Sequence, residues 1–187
     1  YEREKLQKEI FKHTSNNEAL YNLLHQAFKR RFSESTLNEL VCNTGEEKRN
    51  KFIQEALNEI KTEKKWHSHN AEFLVSVNEA EYLENYIFAH LNEINGDHYH
   101  NLLGIIKYLE KNSKFLAATI LYRSLIDSIL KRAQSKYYHH GVKYLKNIDK
   151  LSIKIVHWKG FDPHNLYLQN LKIDHKLKRS FWGQYTS

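Results

Sequence analysis

The sequence predicts an all-α protein of antiparallel helical hairpins, arranged as a short α-solenoid or an irregular helical bundle of about eight or nine helices. Three observations lead there. Apolar residues recur at three- and four-residue spacing along the chain, and strand-like alternation is nowhere sustained. Breakers are scarce: 187 residues hold 6 Gly and 1 Pro, too few for the tight turns of a sheet protein. Hydrophobic residues make up 41% and aromatics 13%, enough for a packed core and well above a disordered composition.

The elements follow in order. Leu6, Ile10 and Phe11 set an apolar stripe among the charges of residues 2–13. Leu20, Leu23, Leu24, Ala27 and Phe28 do so in 18–32, at helical period. Ser35 or Thr36 is expected to cap a short helix around LNELVC. Thr44 and Glu47 have capping-box spacing ahead of Phe52, Ile53, Ala56, Leu57 and Ile60. The run KTEKKWHSHN, 61–70, is the most polar connection. It suggests an acidic helical subdomain over 1–65 and a basic helical-repeat domain over 70–187, or one continuous domain.

Asn70 is expected to cap one long helix carrying Phe73, Leu74, Val77, Tyr82, Leu83, Tyr86, Ile87 and Leu91. That helix ends at Asn95-Gly96, where Gly96 would suit the left-handed position after a helix. Asp97 would then cap a helix through Leu109. Asn112 or Ser113 would cap one to about Ala133, and Ser135 one to about Val156. Asp162-Pro163 reads as a cap followed by a first-turn proline. It opens an amphipathic stretch over 163–182 with a break near Asp174.

Charge is uneven. Residues 1–95 hold 13 Lys+Arg against 16 Asp+Glu, and residues 96–187 hold 16 against 6. A basic half suits an anionic partner, with a solvated lysine-rich surface as the plainer reading. No apolar run reaches the length of a membrane span; the longest is FLAATILY, 115–122. The one cysteine, Cys42, cannot form an intrachain disulfide and is expected to be a small buried side chain. It fits a reducing, cytoplasmic setting. The chain has no methionine, so a fragment of a larger protein is expected, and a secreted effector is a further reading.

Small residues face bulky ones along 97–156. LLGIIKYL carries Gly104, LAATILYRSLIDSIL carries Ala117, Ala118 and Leu121, and SKYYHHGVKYLKNIDKL carries Gly141, Tyr144 and Leu145. Such pairing permits close helix packing. The segment resembles a degenerate tetratricopeptide unit, without the tryptophan and terminal proline usual in one.

A second resemblance covers about 118–182. It rests first on Ala118, Leu121, Tyr122, Arg123, Leu125, Ile126, Asp127, Ser128, Ile129 and Leu130. Ser135, Lys136, Tyr138, His140, Tyr144 and Leu145 continue it, and the tail adds His164, Tyr167, Leu171, His175, Lys178, Phe181 and Trp182. This pattern resembles the C-terminal part of an uncharacterised bacterial helical family. The resemblance implies a helical fold and a bacterial source, and no activity.

Five features bear on function. Arg132 and His139 are spaced like the Arg-x(4–6)-His pair of helical ribonucleases, whose histidine moves a proton while the arginine holds phosphate. Here Ala133 stands where a polar residue usually follows, and Ser135 reads as a cap between two helices, so a helix turn is the stronger reading. Twelve histidines include His67-x-His69, His98-x-His100 and His139-His140. No HExxH and no paired cysteines accompany them, so no metal or other cofactor is expected.

Arg123 and Asp127 lie four apart in an apolar run, as an ion pair would. With Tyr122, Tyr138, His140, His164 and His175 they form a candidate buried polar network or ligand pocket. Lys143, Lys146, Lys150 and Lys154 share one helix face. With Lys136, Lys178 and Arg179 they form the candidate surface for an anionic partner. Phe181 and Trp182 are expected to anchor the terminal helix. The favoured function is a non-catalytic protein-interaction module with a protein partner. Nucleic-acid binding or Arg-x6-His ribonuclease action through the basic half is the alternative.

Overall fold

The computed structural model describes residues 2–186, and among them it is helical with no strand. It contains α1 (Glu2–His13), α2 (Asn17–Arg30), α3 (Glu34–Thr44), α4 (Arg49–Thr62), α5 (Ser68–Ser76) and α6 (Ala80–Ala89). These are followed by α7 (Tyr99–Lys111), α8 (Phe115–Arg132), α9 (Tyr138–Ser152), α10 (His164–Asp174) and α11 (Arg179–Thr186). Three short 3₁₀ turns stand between helices. No helix among the described residues is long and apolar enough to cross a membrane.

The helices outnumber the sequence expectation because local backbone interrupts long apolar patterns. Asn78 takes φ 61° and splits the predicted 70–95 helix into α5 and α6. The 163–182 stretch breaks after Asp174, as its pattern implied, and resumes at Arg179. Several caps also move. Ser33, not Ser35 or Thr36, caps α3 by accepting the Thr36 N–H at 3.2 Å. Thr44 forms no capping box; it ends α3, and its hydroxyl donates to the Leu40 carbonyl. Asn70 is buried inside α5, which starts two residues earlier. Cys42 is exposed rather than buried.

The packing divides into two units at Tyr86–Ile87, within α6. The polar 61–70 segment lies inside the first unit. Tyr86 ties it down: its ring stacks on Trp66 at 5.1 Å, and its hydroxyl donates to the Lys65 carbonyl and accepts the His67 N–H. In the first unit, α2 buries Leu20, Leu24, Ala27 and Phe28, the stripe its periodicity implied. Phe28 meets Phe32, Phe52 and Phe73 at ring separations of 5.0, 6.4 and 5.9 Å, an edge-to-face cluster that joins α2, α4 and α5.

The second unit is organised around α8. Twelve of its 18 residues are buried, on all sides of the helix, as a central helix must be. α7 and α9 flank it antiparallel. Asp97, just before α7, accepts a hydrogen bond from Ser128 near the end of α8. On the other side Asn147 meets Tyr122, and Lys154 sits over Phe115. α11 closes over α9, with Phe181 fully buried beside Gly141 and edge-on to Tyr138. The anchoring role expected of Phe181 matches this position.

Two glycines act differently from their sequence reading. Gly104 is exposed, and a side chain there would touch nothing, so the close approach is made at Gly141 instead, where a Cβ would lie 3.0 Å from Phe181. Gly96 is not left-handed. A Cβ there would run into the Ser124 carbonyl of α8, so the glycine serves close approach rather than chain reversal.

Candidate binding groove

The α7–α9 layer leaves a cavity of about 520 Å³ along one side of α8. Tyr122, Leu125, Ile129 and Arg132 of α8 are spaced three and four apart and so line one helix face. Tyr99, Leu103, Lys107 and Glu110 do the same on α7. α9 adds His140, Lys143, Tyr144 and Asn147, with Tyr137 just ahead of it. Leu125 and Ile129 are buried in the floor.

The ends of the groove differ. At one, the Tyr122 hydroxyl donates to Glu110 Oε1 at 2.9 Å and accepts from Asn147 Nδ2 at 3.0 Å. Burial and the Glu110 carboxylate push the Tyr122 hydroxyl far above the ordinary tyrosine range, so it stays a donor. At the other, Arg132 pairs with Asp97 at 3.5 Å and lies over the Tyr137 ring, which also receives Lys136. Burial, and then the neighbouring His139 and Lys143 charges, lower the affinity of His140 for a proton.

The expected polar network divides into separate groups. Arg123 is 7% exposed. Its guanidinium donates to the Asp162 carbonyl at 2.8 Å and lies over the rings of Tyr167 and Trp158. It makes no ion pair with Asp127; that carboxylate accepts the Tyr167 hydroxyl at 3.2 Å instead. Four-residue spacing put both groups on one face, and Tyr167 of α10 contacts both, its ring under Arg123 and its hydroxyl on Asp127. Burial raises the Asp127 carboxyl above the usual range, against the Tyr167 hydrogen bond and the nearby His175 and Arg123. Arg123 Nε is buried without a protein partner.

His164 belongs to a second group. It contacts Asp149 at 2.6 Å, and Tyr185 donates to the same carboxylate. Burial and that carboxylate push the Tyr185 hydroxyl up to about 12. Tyr138 packs against Phe181, and His140 is exposed in the groove, away from Arg123. Tyr167, Trp158 and Asp149 were not among the expected site residues. Nor were the groove residues Tyr99, Lys107, Glu110, Tyr144 and Asn147. The helical spacing of the groove residues was visible in sequence, but identical spacing also marks core faces.

α8 ends at Arg132, where Ala133 turns left-handed at φ 54°. Arg132 lines the groove, while His139 stacks on His140 outside that lining. Lys136, Lys143, Lys146, Lys150, Lys154 and Arg179 are exposed, and Lys178 is half-buried. Among the described residues no group of three or more His, Cys, Asp or Glu is arranged to hold a metal.

A family model described as a family of unknown function, DUF6880, matches residues 1–184. The chain belongs to the DUF6880 family. Membership spans both units, so the acidic half shares the kinship that the sequence suggested only for 118–182. Neither the curated proteins nor the solved structures yield a match. For this DUF6880 chain the groove geometry is therefore the basis for assigning a role.

Proposed function

We propose that the chain is a non-catalytic interaction module whose α7–α9 groove holds a short extended segment of a protein partner. The observation that supports this is the groove's build, an apolar floor between aromatic walls with polar groups at the ends. Its volume of about 520 Å³ falls within the roughly 300–1,000 Å³ of typical ligand sites. From Tyr122 to Arg132 the floor runs about 15 Å at 1.5 Å per helical residue. An extended chain advances about 3.3 Å per residue, so four or five residues fill it.

The test begins with a random heptapeptide array probed with the whole chain. The strongest binder is then titrated into ¹⁵N-labelled protein. Shifts centred on Tyr99, Leu103 and Tyr144 are expected, and Tyr99→Ala with Leu103→Ala weakens binding at least tenfold while the thermal melt is kept. A binder that leaves those resonances unmoved rules out the groove. The exposed lysines of α9 favour one other reading, phosphate contact. A uridine oligonucleotide that binds with steep salt dependence and shifts Lys146, Lys150 and Lys154 would support that reading instead.

A further inference from the structure

We infer that the segment this groove accepts is charge-polarised: a carboxylate at the Arg132–His140–Lys143 end, an apolar side chain over Leu125 and Ile129, and a hydrogen-bond donor at Glu110. This rests on the groove reading above and adds the partner's chemistry to it.

The donor end is set by a one-way hydrogen-bond chain. Asn147 donates to the Tyr122 hydroxyl, and Tyr122 donates its only proton to Glu110 Oε1. Tyr122 is 5% exposed, so the chain is held in a dry wall where its direction is costly to reverse. It ends on a carboxylate, an acceptor only, whose Oε2 has no hydrogen bond among the described residues. An amide or ammonium of the partner is what that atom can take.

The carboxylate end has the opposite character. Among the described residues Lys143 forms no ion pair, and the His140 ring meets those of His139 and Tyr144. Arg132 is held by Asp97, which lies outside the groove lining. Arg132 and Lys143 set a positive field at this end, and burial first, then His139 and Lys143, keep His140 from taking a proton. A carboxylate placed there offsets that field, and the half-enclosed walls strengthen the attraction relative to open water. Lys107 sits one turn from Glu110 on α7, so cations outnumber anions in the lining as a whole. An all-basic segment is thereby disfavoured.

The experiment uses the whole chain and three labelled peptides read by anisotropy. They are Asp-Asp-Leu-Phe-Lys, Ser-Ser-Leu-Phe-Lys and Asp-Asp-Leu-Phe-Ala. The first should bind roughly three- to tenfold more tightly than either of the others, the range of one or two partly exposed charge pairs, with the acid preference shrinking as salt rises. Lys143→Glu should abolish the preference for Asp over Ser while the thermal melt is kept. Glu110→Gln keeps an acceptor for Tyr122 and should abolish only the preference for terminal Lys over Ala. The His140 titration midpoint, followed by NMR, should rise when the first peptide is bound. Equal binding of all three peptides, with shifts centred on the groove, overturns the polarity and leaves the groove standing. Binding of none of them, after the array has yielded a groove binder, overturns the polarity alone; an array that yields no groove binder overturns both.

Discussion

Gly96 offers the sharpest test of how the second unit packs. If it were a left-handed helix cap, Gly96→Ala would cost about 1 kcal/mol and Gly96→Asn less, because Asn tolerates that backbone. The structure implies a different cost. A Cβ at Gly96 would meet the Ser124 carbonyl oxygen, with the carbonyl carbon at 2.7 Å and Ser128 Cβ at 2.9 Å. Ordinary carbon contacts lie at about 3.5–4.0 Å, so the segment must retreat by close to 1 Å. Overpacking of that kind costs about 1–3 kcal/mol. The retreat also pulls Asp97 from Ser128 and Arg132, but these contacts are exposed and add little. Gly96→Ala should therefore lose about 2–3 kcal/mol, the upper part of the overpacking range, in urea unfolding followed by tyrosine and tryptophan fluorescence, and Gly96→Asn at least as much. A loss near 1 kcal/mol for Ala, with Asn milder, would refute the close-approach reasoning.

Three further predictions follow from named contacts. Ala133 holds a left-handed φ of 54°, so Ala133→Gly should stabilise the chain by about 0.5–1 kcal/mol, read as a higher urea midpoint; a lower midpoint counts against the strain. Arg123→Lys keeps the charge but loses the planar fork that reaches the Asp162 carbonyl and lies on Tyr167 and Trp158. It should cost about 2–3 kcal/mol, and an unchanged melt would show the latch to be unimportant. Asp127 has its carboxyl raised by burial, so its protonated form favours the fold at low pH and that contribution fades as pH rises through the folded-state titration. Asp127→Asn, which still accepts from Tyr167, should flatten this slope and be at least as stable as the parent at pH 7. A variant that loses more stability at pH 7 than at pH 4 contradicts this sign.

Helix positions were legible in the sequence because burial of one stripe imposes a period. The α2 stripe of Leu20, Leu24, Ala27 and Phe28 and the α9 stripe of Val142, Leu145, Ile148 and Leu151 are buried as their spacing requires. Caps were less legible. Ser33, Ser35 and Thr36 are all competent caps, and only the path of the chain selects Ser33. The split at Asn78 had no strong local signal, since Asn is merely tolerant of a left-handed backbone.

The groove and the Arg123 latch were partly visible. Arg123, Asp127, His140 and Lys143 stood out as polar groups in apolar or helical runs, but spacing alone did not show what joins them. Arg123 and Asp127 share a helix face and meet through Tyr167 rather than directly, because α10 and the loop before it bring Asp162, Trp158 and Tyr167 from about 40 residues away. Glu110 and Asn147 gave no signal, since each is an ordinary helix residue until Tyr122 stands between them.

Although the Leu6 and Ile10 stripe of α1 is exposed, the sequence by itself determined the all-helical class, the faces that α2 and α9 bury and the basic bias of the second half. These depend on side-chain period and composition, which are local or additive quantities. Tertiary structure alone decided that α8 is the central helix, that Gly96 is a point of close approach, and that Glu110, Tyr122 and Asn147 form one end of a groove whose other end is cationic. Those features depend on which residues from distant turns meet, and many arrangements of the same stripes would bury the same apolar surface.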